Sequence, residues 1–176
     1  MICYLTREEL KRFFTVTHEE NKLHHLAFLM GFFHALRISE VINILGKDVQ
    51  DGLLFVQRLK GSEKTLQPIH RDANPIFDCG DVLALAAANP SARLFPFCRQ
   101  RADQLVKRYG KMAGIHPDKL HTHVFKHSCC MEIWNAAQSL GMIQSYAGHK
   151  SSSSTLQYLR ESDHGKAQDV VAAIQL

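Results

Sequence analysis

The residues best suited to chemistry lie in Gly148-His149-Lys150-Ser151-Ser152-Ser153-Ser154-Thr155-Leu156-Gln157-Tyr158, where a glycine–histidine pair leads through a Ser/Thr run to a tyrosine. A phenol becomes an effective nucleophile when neighbouring groups take its proton and stabilise the charge formed on its target. Three other stretches carry groups of that kind: Ala35-Leu36-Arg37-Ile38-Ser39-Glu40-Val41, Leu59-Lys60-Gly61-Ser62-Glu63-Lys64 and His123-Val124-Phe125-Lys126-His127-Ser128. Arg37 falls between a helix end and a new helix start, where a rigidly held guanidinium can offer paired donors to two oxygens of one phosphate. The ordinary alternative is a surface arginine lying along the core. His123 and Lys126 stand three apart at a helix start and are expected to share a face. Gly148 permits close backbone approach beside His149. His121, His123, Cys129 and Cys130 invite a zinc reading, but adjacent cysteines on a helix diverge by about 100°, and the spacing fits no common zinc pattern. No metal and no cofactor are expected.

The elements that must position these groups can be read along the chain. Thr6-Arg7-Glu8-Glu9 is a capping box that starts a helix running to about Phe14. From about Glu19, Leu23, Leu26, Ala27, Met30 and Phe33 recur at helical spacing and predict a core helix ending near Arg37. Ser39 is the expected N-cap of a short helix from Glu40 to about Leu45, with Glu40 at its positive end. Asp51-Gly52 marks a turn into a β-prone run, Leu53 to Leu59, which pairs across Gly61-Ser62-Glu63 with Lys64 to Ile69. That hairpin carries Lys60 at its tip and puts Pro68 on an edge or at a strand end. Further helices are expected from Gly80 to Ala88, from Arg99 to a stop at Gly114, from Thr122 or His123 to about Ser139, and from Met142 to Tyr146. Two more, from Ser151 to Leu159 and from Lys166 to Ile174, complete the chain.

Bulk composition narrows the class. At 176 residues the chain suits one domain, and 45% hydrophobic with 22% charged residues is ordinary for a folded soluble protein. The longest apolar run, Leu26 to Phe33, is too short for a bilayer, and the start lacks the layout of a secretory signal. A cytoplasmic protein without membrane association is expected. Five cysteines, two of them adjacent, suit no disulfide framework. The net charge of +4 is uneven: residues 93–126 hold eight Lys/Arg against two Asp. A face this basic makes a phosphate backbone a plausible partner, with Arg99, Arg101, Lys107, Arg108 and Lys111 on one amphipathic helix and Lys64 on the hairpin.

In this order and spacing the four segments resemble the catalytic domain of tyrosine recombinases (phage integrases). The similarity covers about residues 6–160. It implies an α+β, mainly helical fold with a small antiparallel sheet, here a single catalytic domain, residues 1–176, without the N-terminal core-binding domain. Leu36-Arg37-Ile38-Ser39-Glu40 is similar to the segment of the family's first catalytic arginine. Lys60 is similar to the hairpin lysine that protonates the departing 5′ oxygen, with Lys64 as competitor. His123 and Lys126 match the family's histidine, two residues, arginine, except that lysine stands at the second position and lacks the planar fork that grips two oxygens. His149 corresponds to the second histidine and Tyr158 to the nucleophile. His127 and Ser128 are read as packing or helix-start residues.

What the resemblance implies is a site-specific recombinase or integrase acting on double-stranded DNA. Tyr158 attacks a phosphodiester to form a 3′-phosphotyrosine, Arg37, Lys126 and His149 stabilise the transferring phosphate, His123 assists proton transfer at the tyrosine, and Lys60 is the general acid. The chain is expected to be a monomer when free and to assemble as a dimer or tetramer on DNA. Two alternatives stay open: a single-strand-nicking, topoisomerase-like activity, and a weak or inactive DNA-binding protein, the latter suggested by Lys126.

Overall fold

The computed structural model describes residues 3–56, 64–137 and 139–150, with Ser153, Thr155, Leu156 and Tyr158. Lys60, the hairpin tip and the segment 166–174 lie outside the described residues. Thr6 starts the first helix through a reciprocal cap: its Oγ1 accepts from the Glu9 N–H at 3.3 Å, and Glu9 Oε2 accepts from the Thr6 N–H at 2.8 Å. This helix, α1 (Arg7–Glu20), continues past the expected end at Phe14, because Phe13, Phe14 and Thr17 all face the core. Asn21 closes it and caps α2 (Lys22–Phe33), accepting from the His24 N–H at 2.9 Å.

Every residue of α2 from His25 to Gly31 is buried, which makes it the central helix, apolar on all sides. It ends at Phe33, not at Arg37, because Ala35 takes φ +49° and turns the chain out of the helix. That left-handed conformation costs an L-residue about 1 kcal/mol, and Ala35 is completely buried in it. The next helix, α3 (Ile38–Val41), has Arg37 rather than Ser39 at its N-cap and is shorter than expected.

The sheet is a three-stranded antiparallel meander. β1 (Val49–Gln50), which sequence reading did not anticipate, pairs with β2 (Leu53–Val56) across the Asp51-Gly52 turn, and β2 pairs with β3 (Thr65–Pro68). Pro68 ends the edge strand, where no ladder donor is needed. Gln67 of β3 is buried between two functional elements: its Nε2 donates to the Tyr146 carbonyl at 2.8 Å and its Oε1 lies 3.1 Å from His34 Nδ1.

α4 (Asp81–Ala88), α5 (Arg99–Met112), α6 (Val124–Ala137) and α7 (Leu140–Ala147) follow the expected order. α5 buries Ala102, Leu105, Val106, Tyr109 and Gly110. A Cβ at Gly110 would come within 2.1 Å of Leu120, so the glycine lets the loop before α6 lie against α5. Phe125 anchors α6, stacking on Phe28 of α2 at 5.3 Å and leaning on Phe13 of α1 at 5.1 Å. Ser128 ties the same helix to the N-terminal segment, its Oγ accepting from the Leu5 N–H at 2.8 Å. The architecture is therefore α+β and mainly helical, with a small antiparallel sheet at one side. Among the described residues no helix is long and apolar enough to cross a membrane.

One buried histidine couples this packing to pH. His25 lies between α1 and α2 with Nδ1 2.8 Å from Thr17 Oγ1, and burial, with His18 beside it, lowers its pKa from 6.5 to about 4. Between those values the unfolded chain binds a proton that the folded chain does not, so stability falls as pH drops through this window and is level above it. His25→Gln should flatten part of that fall in urea denaturation carried out on either side of pH 6.5. A fall of equal depth in both proteins would remove His25 as the cause.

Candidate active site

The turn after α2 delivers Arg37. Glu40, only 4% exposed, accepts from the Arg37 backbone N–H at 2.7 Å and from its Nη1 at 3.0 Å. One buried carboxylate thus closes the start of α3 and fixes the plane of the guanidinium, whose side chain is 24% exposed. Charge-assisted bonds of this kind are the stronger class. Sequence reading placed Glu40 at the helix dipole; its hold on Arg37 needs the helix to start two residues earlier than Ser39 suggested.

The start of α6 brings His123 and His127 within electrostatic reach of Arg37. His123 is exposed and Lys126 is buried at 4% exposure, so they do not share a face as expected. His123 precedes the first helical residue, Val124, whereas Lys126 turns inward between α6 and α7. There its Nζ donates to the carbonyl of Ala147, the last residue of α7, at 2.9 Å. Carbonyls at a helix C-terminus lack intrahelical partners and carry partial negative charge, so an ammonium is well matched to them. Partial desolvation of the ring, then the positive charges of His121, Arg99, Arg37 and Lys126, push the His123 pKa down.

The turn capped by Lys126 then presents His149. Gly148 has φ +63°, the left-handed region that ends helices, and the His149 N–H reaches back to the Gln144 carbonyl at 2.8 Å. The glycine is needed for this conformation. His149 is 6% exposed, with Nδ1 3.1 Å from Thr155 Oγ1, so Thr155 orients the imidazole. Tyr158 is fully buried, its ring parallel to His149 within 2° at a centroid separation of 6.3 Å.

The Tyr158 hydroxyl lies 3.0 Å from His127 Nδ1. His127, read from the sequence as a packing or helix-start residue, is the contact to Tyr158 that sequence reading missed. Its position next to Lys126 was visible, but a contact across 31 residues was not. Burial, then His121, His123, Lys126 and Arg37, drive the His127 pKa from 6.5 down to about 4, so the imidazole is neutral near pH 7. The structure therefore brings Arg37, His123, Lys126, His149 and Tyr158 into one region and adds His127 and Glu40.

A basic surface adjoins the site. Arg99, Arg101, Lys107, Arg108 and Lys111 are all exposed along α5, and Lys64 is exposed before β3. Lys107 pairs with Asp103 at 2.7 Å and Arg108 with Glu20 at 2.9 Å, which moderates part of this charge. Arg99, Gln100, Asp103, Gln104 and Thr122 line an open cleft of about 740 Å³ beside His123. None of the five cysteines is in a disulfide, and among the described residues no group of three or more His, Cys, Asp or Glu is placed to hold a metal ion.

Known proteins share both the sequence pattern and the fold. The sequence model of the phage integrase family matches residues 3–164. Tyrosine recombinase XerD of Xanthomonas axonopodis pv. citri is 32% identical over 142 residues, 70% of this chain and 46% of the relative. Tyrosine recombinase XerA of Thermococcus kodakarensis is 28% identical over 169 residues, 89% of this chain and 57% of the relative. The chain thus spans about half the length of these relatives. Among solved structures, a XerA recombinase superposes with a TM-score of 0.74 at 21% identity, covering 95% of this chain and 64% of the other. The catalytic domain of bacteriophage HP1 integrase gives 0.69 at 18% identity, covering 91% and 88%. Because the family model spans residues 3–164 and a tyrosine recombinase is 32% identical over 70% of the chain, the chain belongs to the phage integrase family of tyrosine recombinases.

Proposed function

We propose that the protein is a site-specific DNA recombinase that cleaves and rejoins one strand through a 3′-phosphotyrosine at Tyr158. The observation that carries this reading is the setting of the Tyr158 hydroxyl, 3.0 Å from a neutral imidazole and beside a cluster of cationic donors. Arg37, held in plane by Glu40, is suited to two oxygens of one phosphate. His149 donates to a non-bridging oxygen, and His123 faces the phosphate from the exposed start of α6. Lys126 adds positive charge from beneath and holds the turn that presents His149. Lys60, or Lys64 in its place, protonates the departing 5′ oxygen.

These fixed donors supply the charge stabilisation that phosphoryl transfer requires, so the reading calls for no metal ion. The covalent link conserves the bond energy, and a 5′ hydroxyl reverses the step without a nucleotide cofactor. Double-stranded DNA is the substrate, and its backbone lies along Arg99, Arg101, Lys107, Arg108 and Lys111. A relative in this fold, lambda integrase, has been solved as a dimer on a core site and as a tetramer on a Holliday junction. We read this chain as a monomer when free that assembles as a dimer or tetramer on DNA.

Covalent capture on a nicked duplex tests the reading. Tyr158→Phe should bind duplex DNA as the wild type does and form no adduct, because the hydroxyl alone is lost. An adduct at wild-type yield from the variant would overturn the assignment.

Lys126 gives a second expectation. Lys126→Met keeps the length but leaves the buried Ala147 carbonyl without this donor, at a cost of about 1–3 kcal/mol in folding stability. It should also slow single-turnover cleavage roughly 10²-fold, while Lys126→Arg retains cleavage. Denaturation curves and cleavage rates measured together check both halves, and wild-type cleavage by Lys126→Met would take the lysine out of the site.

A further inference from the structure

We propose that His127 takes the phenolic proton from Tyr158 as the tyrosine attacks phosphorus, and returns it when the strand is rejoined. The inference rests on the phosphotyrosine reading and reassigns within it the proton transfer that sequence pattern gives to His123. His127 Nδ1 is already at 3.0 Å from the Tyr158 hydroxyl, inside the range a base needs for the proton it removes. His123 is exposed at the start of α6, with its ring centroid 6.3 Å from that of His127 on the side of the cationic surface. His127 therefore sits between the groups that would receive a phosphate and the buried nucleophile.

The step balances without another reactant. The Tyr158 Oη–P bond forms as P–O5′ breaks. The phenolic proton passes to His127 Nδ1, and O5′ is protonated by the hairpin lysine. On rejoining, the 5′ hydroxyl attacks phosphorus and gives its proton to that lysine, while Tyr158 leaves and regains its proton from His127.

Electrostatics explains how a base of low intrinsic strength serves here. The charged and titratable groups around His127 are His121, His123 and Lys126 from its own segment and Arg37 from the α2–α3 junction. Tyr158 and His149 face it from the C-terminal side. Arg99 and Asp103 of α5 act on His123 and His121, and Glu40 holds Arg37. This positive surrounding keeps the imidazole unprotonated, with Nδ1 able to accept the Tyr158 hydrogen bond. A phosphodiester entering among Arg37, His121 and His123 brings negative charge into the same region, and more accumulates as the tyrosine bonds to phosphorus. The repulsion that opposes an imidazolium is then offset only when substrate is in place. The base is neutral and available at rest and becomes stronger during attack.

Single-turnover cleavage of a nicked duplex by His127→Ala and His127→Gln tests the inference, each variant in chains carrying tyrosine or a fluorinated tyrosine of lower phenol pKa at position 158. Both variants should cleave roughly 10²-fold to 10⁴-fold more slowly than wild type, the range contributed by a positioned base. The fluorinated residue should recover much of that loss, because a more acidic phenol depends less on a base. His127→Gln retains a hydrogen-bond acceptor but cannot take a proton. A wild-type rate in His127→Gln would therefore show that His127 only positions the hydroxyl, and overturn the inference. So would an unchanged or faster rate in His127→Ala, which marks the contact as a resting one, or a deficit that fluorination does not alter. Absence of an adduct from the wild-type chain would overturn the phosphotyrosine reading and this inference with it.

Discussion

A buried ammonium against a helix C-terminus is the constraint on which the site depends. Lys126 is 4% exposed, and its Nζ lies 2.9 Å from the Ala147 carbonyl. A charge taken out of water must be matched by fixed polar groups, and the carbonyl end of α7 is such a group. Bringing the two together sets how α6 meets α7. The consequences follow residue by residue: Gly148 turns the chain at φ +63°, His149 emerges beside Thr155, and the Tyr158 ring lies parallel to His149. On α6 the residue after Lys126 is His127, which meets the Tyr158 hydroxyl. One contact between helices thus bears on both imidazoles next to the nucleophile.

The second organising device is the pairing of Arg37 with Glu40. Arginine at a helix N-cap has no side-chain acceptor to offer the helix amides, so the cap works in reverse, with the carboxylate reaching back to the arginine backbone and side chain. The guanidinium is pre-oriented before any ligand arrives, which reduces the ordering cost of gripping a phosphate. A central helix apolar on every side and the aromatic contacts of Phe13, Phe28 and Phe125 provide the rigid background for both devices.

Much of this was legible in the sequence because local chemistry decided it. Thr6 with Glu9, Asn89-Pro90 after α4, the position of Pro68 and the amphipathic pattern of α5 each specify a boundary through nearby residues. The errors arose where tertiary packing overrode local preference. α2 stops at Phe33 because an alanine, with no glycine signal, accepts a left-handed conformation in the core. β1 is two residues long and exists through its pairing with β2, too short for a period-two pattern. His123 and Lys126 diverge because the helix begins between them, a boundary that spacing alone leaves uncertain by more than one residue. The contacts of His127 with Tyr158 and of Lys126 with Ala147 join segments distant in sequence, and no local pattern encodes them.

Peptide mapping of the DNA-linked protein, after trapping on a nicked duplex and digestion to a short nucleotide remnant, addresses the central claim most directly. The expected result is a 3′-phosphonucleotide on the peptide containing Tyr158 and on no other. A remnant on a different residue, or a complex that dissociates fully under denaturing conditions, would contradict it.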